Sequence, residues 1–559
     1  MATIASNSAA ENRAAENRAA ENSAVLDAAH VGDIRGALGT IRLDDHAPRA
    51  TMSAKLKTLL AVVGPGLIVM CGDNDAGAFQ TYGQAGQDYG THLLWTLLLL
   101  VPVLYVNQEM VLRLGAVTGV GHARLIIERF GKFWGAFEVI DLFLLNALTI
   151  VTEFIGITLA AGYLGVPKVI AVALAALVIM AAASTGSFRR FERIAVTFCV
   201  GSLLLIPLYF LLHPSAGQMA HGFTTPSLPA YGSNGMAAVM LLVIGIVGTT
   251  IAPWQLFFQQ SYVVDKRITP RFMRYEKADL WIGIVIVVLG AGALMGVTAV
   301  AFAGTKGFGN FTDASGLAHG IAAHAGRLAG VVFAVALLDA AIIGAFAVSL
   351  SSAYAIGDVL GMNHSLHRGF KHAKGFYAIY AALICGAATI VLIPGSPLGL
   401  LTEGVQVLAG VLLPAATVFL LLLCNDRSVL GPWVNRTRTN VFAGGVVAAL
   451  ITLSMVLTVS VLVPSITGRQ IELIMIVCAG VAVLVGVAAL VRARRSPAPL
   501  TVAVVESEGR DNWRMPPLNT LSAPQMSRAR KIGLTALRCY LALAMILVVV
   551  KIVEEAIGH

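Results

Sequence analysis

The chain has 559 residues, a formal charge of +9 at pH 7, and 57% hydrophobic against only 12% charged residues, with a mean hydropathy of +0.80 and a pI near 9.3. This composition excludes an ordinary soluble domain and indicates a polytopic membrane protein, leaving carrier, receptor and intramembrane enzyme open. The basic surplus calls for no nucleic-acid partner, because the loops described below account for it.

Residues 1–55 are expected to form a mobile cytoplasmic tail. They contain a tandem repeat, Glu11, Asn12, Arg13, Ala14, Ala15 and then Glu16, Asn17, Arg18, Ala19, Ala20, which offers no apolar face to bury. No charged start followed by an apolar core precedes Ala50, so insertion is expected to rely on the first span. Twelve apolar segments of spanning length follow, starting near residues 58, 93, 133, 167, 191, 236, 279, 329, 376, 400, 440 and 471.

If the N-terminus lies inside, the inner connections hold clusters such as Arg113, Arg124, Arg129, Lys132 and Lys266, Arg267, Arg271, Arg274, Lys277. The outer ones hold only Lys168, Lys306, Arg327 and Arg469. The positive-inside rule therefore places the N-terminus in the cytoplasm, in a multi-pass protein of the cell inner membrane. Residues 56–424 are read as a ten-helix core and 425–495 as two peripheral spans. Residues 496–559 read as a polar tail with an apolar run, Leu541 to Val550, that is short for a span and suits an interfacial helix better than a thirteenth crossing. The six cysteines show no paired spacing that suggests a disulfide framework or a zinc site.

The first span is broken by Gly72, Asp73, Asn74, Asp75, Ala76, Gly77. An ionisable residue at the centre of a spanning helix costs about 2.5 to 3.5 kcal/mol even on the lenient insertion scale, so two acids there point to ion binding. Unwound backbone is tolerated at that depth only where it is buried in protein or lines a cavity. Asp75 can also be read simply as a helix cap. The sixth span has its own interruption at Ile251, Ala252, Pro253, Trp254, Gln255, where the proline removes a hydrogen bond and crowds the preceding turn. Matching interruptions five spans apart are the mark of an inverted five-plus-five repeat with the site between the two broken helices.

Several motifs in this order resemble the NRAMP family of divalent-metal transporters. They are Gly64, Pro65, Gly66; the run Arg113 to Gly119; Gln406 to Pro414; and Asn425, Asp426, Arg427. The resemblance implies an all-α, LeuT-like fold with discontinuous helices 1 and 6, alternating access, and import of a divalent metal ion as substrate. It implies no resident cofactor and no obligate protein partner.

Departures from the family pattern concentrate at the two breaks. Asp75 matches the family's aspartate, but Ala76 and Ala78 stand where the family has proline and asparagine. Ala252 and Trp254 replace its methionine and histidine, and Gln259 replaces its next histidine. Glu153 matches a glutamate linked to proton movement, whereas Ile150 replaces a nearby acid, and Asp339 lies where a Gly-Gln-Ser-Ser pattern is missing. This set is similar to the NRAMP-related magnesium transporters. Mg²⁺ is hard, dehydrates reluctantly and binds through one or two carboxylates, so a widened all-oxygen pocket suits a partly hydrated ion. Asp75 would supply charge, with Asp73, Asn74, Gln255 and Gln406 bonding the water shell and Ala252 leaving room. An oxygen site also admits Mn²⁺, and the loss of two histidines argues against proton coupling. The alternative within the family is a proton-coupled Mn²⁺/Fe²⁺ transporter. Outside it stand a sodium-coupled amino-acid carrier, whose carboxylate substrate two acids would repel, and an intramembrane aspartyl protease pairing Asp75 with Asp358.

Overall fold

A computed structural model describes residues 29–227, 235–395, 398–463, 468–495, 507–521 and 528–557. The repeat at residues 11–20 lies outside them. Residues 29–49, expected within the mobile tail, are instead a strap. Its short strands β1 (Ile34–Arg35) and β2 (Thr40–Ile41) pair antiparallel, Ile34 opposite Ile41. Gly36 and Gly39 between them let the strap press onto Ala61, where a Cβ on Gly36 would meet the Ala61 carbonyl oxygen at 2.1 Å.

The first transmembrane position is assembled from three helices: α1 (Met52–Val62), α2 (Pro65–Cys71) and α3 (Ala76–Tyr89). The α1–α2 junction bends by 52°, a kink that the sequence reading did not place. Gly64 adopts φ +156, which only glycine takes readily, and Pro65 starts α2 with its ring already set for a helix. Asp279 then accepts from the amides of Gly64 (3.2 Å), Gly66 (2.6 Å) and Leu67 (3.2 Å). These are groups that a helix start leaves without partners. Lys266 Nζ bonds the Val63 carbonyl (2.8 Å) and Glu192 (2.7 Å), so a buried ion pair closes the same corner.

The chain continues through α4 (Trp95–Thr118), α5 (His122–Phe130), α6 (Lys132–Tyr163), α7 (Lys168–Ala183), α8 (Phe188–Gly201), α9 (Leu205–Leu212) and α10 (Ala216–Thr224). The sixth position is α11 (Gly235–Thr250) and α12 (Pro253–Asp265). Next come α13 (Met273–Phe302), α14 (Ala314–Ala325), α15 (Arg327–Leu360), α16 (Lys374–Val391), α17 (Leu398–Cys424), α18 (Thr437–Leu462), α19 (Gly468–Arg495) and α20 (Arg528–Ile557). Among the described residues ten helices are long and apolar enough to cross a membrane. The bent pair α1–α2 and the 16-residue α7 occupy the other two expected positions.

The core lies where α6 packs on α15, α11 on α17, and α13 on both α2 and α3. By contrast α19 is almost wholly exposed, the state of a helix that faces lipid. α20 forms one helix of 30 residues packed on α17 and α18. Its Arg538 stacks over Trp134, Phe137 and Phe419 at 4.3, 4.5 and 5.2 Å and donates to the Trp134 carbonyl.

Candidate ion site at the first helix break

α2 ends at Cys71 and α3 begins at Ala76, so four residues, Gly72 to Asp75, are unwound within the helical core. Glycine at 72 permits a close approach: a Cβ there would meet Ala347 and the Trp254 ring at 3.4 Å each. Asp73, Asn74 and Asp75 are buried, at 1%, 1% and 3% exposure. Burial of three such groups is costly unless each is bonded or meets a ligand.

Asp75 caps α3, its Oδ1 accepting from the Ala78 amide at 2.8 Å. Glu153 on α6 stands beside it, its Oε2 accepting from the Ala76 amide at 3.1 Å. Two carboxyl groups this close repel when both are ionised, so a proton on one or a cation beside them relieves the pair. Gly344 on α15 makes room for this pair, since a Cβ there would lie 2.6 Å from Glu153 Oε2 and 2.8 Å from Asp75 Cβ.

Around the pair stand carboxamides. Gln255 Nε2 donates to Asp73 Oδ1, and Gln108 on α4 orients Gln255 by donating to its Oε1 at 2.9 Å. Gln406 on α17 lies against Gly77, where a Cβ would sit 1.9 Å from Nε2. Asn74 Nδ2 reaches the Val287 carbonyl only at 3.4 Å. Asp73 Oδ2, Asn74 Oδ1, Glu153 Oε1 and Gln406 Nε2 are buried with no hydrogen-bond partner among the described residues. These orphaned groups are the ones a hydrated cation would satisfy, its waters donating to the oxygens.

The structure thus joins Asp73 with Gln255, and Gln406 with the start of α3. Ala252 is placed differently: it is the N-cap residue of α12, with no side-chain cap. Trp254 is 1% exposed and its carbonyl accepts from Ser351 at 2.9 Å. Cys71, beside the break, is a buried free thiol. Asp339 packs against Gly201 rather than joining Asp75. Sequence reasoning missed Gln108 and Asp279, although a polar side chain inside an apolar segment is a usable signal for both. Among the described residues no group of three or more His, Cys, Asp or Glu side chains is arranged to hold a metal ion.

Asp358, the other half of the protease reading, is engaged elsewhere. It pairs with His364 at 2.9 Å and accepts from Ser261 at 3.5 Å. Burial alone would lower His364, but the Asp358 charge overrides it and lifts the imidazole to about 9. The two aspartates that such an enzyme needs are not brought together.

Residues 66–460 match the family model described as natural resistance-associated macrophage protein-like, Nramp. The divalent metal cation transporter MntH of Ralstonia nicotianae is 30% identical over 407 residues, covering 69% of this chain and 88% of that relative. That of Burkholderia ambifaria is 28% identical over 427 residues, covering 73% and 91%. Among solved structures, the manganese transporter of Eremococcus coleocola aligns with TM-score 0.60 at 20% identity, covering 80% of this chain and 97% of that one. The architecture is accordingly an all-α polytopic membrane protein of LeuT-like fold, with the discontinuous helices at the first and sixth positions.

Proposed function

The chain belongs to the Nramp family, and from that premise we propose that it imports divalent metal ions, taking Mg²⁺ in preference to Mn²⁺ as a partly hydrated ion. It belongs on this reading to the magnesium-transporting branch, works by alternating access without proton coupling, and sits in the inner membrane with its N-terminus cytoplasmic. The observation that carries the proposal is the set of orphaned oxygens and amides around Asp73, Asn74 and Glu153, with no thioether or imidazole at the α12 break. Hard oxygen donors and retained water are what Mg²⁺ asks for. Alanine at 252 supplies no soft ligand that would reward a transition metal.

An inside-negative potential is worth about 2.3 kcal/mol per charge per 100 mV, so a divalent ion can accumulate without a second gradient. The substrate is the metal itself, and Asp75 is the residue that carries its charge. Asp73 and Gln255 hold one side of the shell, while Asn74 and Gln406 hold the other.

Proton-coupled Mn²⁺ transport is the second reading, and the closeness of Asp75 to Glu153 favours it. On this reading a proton held by the pair leaves when a cation arrives at Asp75, and Glu153 passes it on. The relatives named as divalent metal cation transporters fit this reading equally well.

The two are separated by competition in proteoliposomes at fixed potential. Mg²⁺ uptake should persist with equimolar Mn²⁺ outside, and Asp75→Ala should abolish it. Uptake of Mn²⁺ with no saturable Mg²⁺ flux would remove the magnesium reading.

A further inference from the structure

A cavity away from the helix break lies at the face that carries the basic loops. It measures about 770 Å³ and is lined by Arg49, Lys55, Arg271, Arg274, Lys277 and Arg510, with Asp511 as its one carboxylate and Trp433, Phe272 and Tyr275 as its aromatic walls. We propose that it binds a phosphate-bearing anion, either a free phosphorylated compound or the headgroup of an anionic lipid.

The cations converge from five separate stretches: the strap, α1, the α12–α13 connection, the start of α13 and the segment after α19. Basic residues that serve only membrane orientation need no such convergence. Three of the six are already partnered. Arg49 grips Asp45 through both terminal nitrogens (2.9 and 2.8 Å), Arg271 bonds His46 and the Asp45 carbonyl, and Lys277 pairs with Glu109 at 2.9 Å.

Lys55, Arg274 and Arg510 make no ion pair among the described residues. Lys55 and Arg274 are exposed at the rim. Arg510 is fixed in the wall, its guanidinium 4.0 Å over the Trp433 ring and its carbonyl accepting from Trp433 Nε1 at 2.8 Å, with Nε buried and unpartnered. Trp433 is itself anchored, since Arg113 donates to its carbonyl at 2.6 Å. Burial first, and then the charge of nearby Arg436, hold Arg510 below its ordinary value.

A concave site of one sign focuses its field and concentrates counter-ions. Planar guanidinium forks suit phosphate oxygens by bidentate hydrogen bonding, and lysine adds a point charge. An anion reaching Lys55, Arg274 and Arg510 together would tie α1 to α13 across the Gly64 kink.

The test uses the full-length chain. In neutral detergent it is titrated with pyrophosphate by calorimetry. In nanodiscs its thermal unfolding is compared between phosphatidylcholine alone and phosphatidylcholine with cardiolipin. A ligand of the native state raises the unfolding temperature by mass action.

The expected result is binding in at least one arm, weakened at least about tenfold in Arg274→Gln/Arg510→Gln, as loss of charge-assisted hydrogen bonds implies. The charge-matched variant Lys371→Gln/Lys374→Gln, elsewhere on the same face, should bind as the parent does. Arg274→Gln alone, at an exposed position, should weaken binding in the same direction and guards against misfolding of the double variant. Pyrophosphate binding identifies a free phosphorylated compound, and a response to cardiolipin alone identifies a headgroup. Absence of both, or equal losses in the two double variants, would overturn the proposal.

Discussion

The two interrupted helices occupy equivalent positions in the fold, yet their interruptions hold opposite chemistry. In the first, four unwound residues present two carboxylates and a carboxamide, and Asp75 caps the helix that follows. In the sixth, Ile251 and Ala252 separate α11 from α12, and the cap position is an alanine with no side-chain bond. An uncapped helix N-terminus carries partial positive charge, which repels a cation, whereas a capping aspartate reverses the sign. Of the two breaks, only the first therefore offers negative charge. The sixth position contributes Gln255, which reaches back to Asp73, and the space that Ala252 leaves. The lesson is that equivalent breaks in the two halves of the repeat need not carry equivalent polar groups.

The most damaging way to test this asymmetry is at Asp75. Asp75→Ala should lower Mg²⁺ uptake by about 100-fold or more, the scale of losing one partner of a buried, hydrogen-bonded charge contact. Isotope uptake normalised to folded protein measures it. Asp75→Asn should be as severe, because it keeps the shape and removes the charge.

Glu153→Gln should cost less, about tenfold, since it keeps a hydrogen-bonding group beside Asp75 and the Ala76 amide. An internal pH dye should stay silent in both parent and variant. A parent proton signal that vanishes in Glu153→Gln would assign proton coupling to Glu153.

A third test puts polarity and bulk back into the second break and the start of α3. Ala252→Met combined with Ala78→Asn should shift the ratio of transport efficiencies toward Mn²⁺ or Cd²⁺ by about tenfold, because the thioether displaces water whose bonds it cannot replace. An unchanged ratio would mean that selectivity is set elsewhere.

Gln255→Ala is the mildest change. It removes the donor to Asp73 and the acceptor of Gln108, and should raise the Mg²⁺ half-saturation concentration about fivefold at unchanged maximal rate. A fall in maximal rate alone would point to a gating role for Gln255.

Much of this arrangement was legible in the sequence because its signals are local. Glycines beside acids in an apolar run, and a proline in another, locate both breaks without knowledge of contacts. The kink at Gly64 was harder to read, because Gly-Pro-Gly near a span boundary looks like a cap until Asp279, more than two hundred residues away, is seen to hold it. The strap at residues 29–49 was missed for a similar reason. It has little apolar content of its own, and its order comes from Arg189, Arg193 and Arg267 donating to its carbonyls and Glu192 accepting from Ala37. The Asp75–Glu153 contact likewise joins residues on different helices and depends on Gly344 having no side chain. Sequence spacing cannot reveal a contact of that kind.

The most direct measurement of the account is Mg²⁺ influx and luminal pH recorded on the same proteoliposomes under an imposed inside-negative potential. The expected result is saturable Mg²⁺ entry that grows with the potential, leaves luminal pH flat, and disappears in Asp75→Ala. Acidification of the lumen in fixed proportion to the metal entering, or entry of Mn²⁺ with exclusion of Mg²⁺, would contradict it.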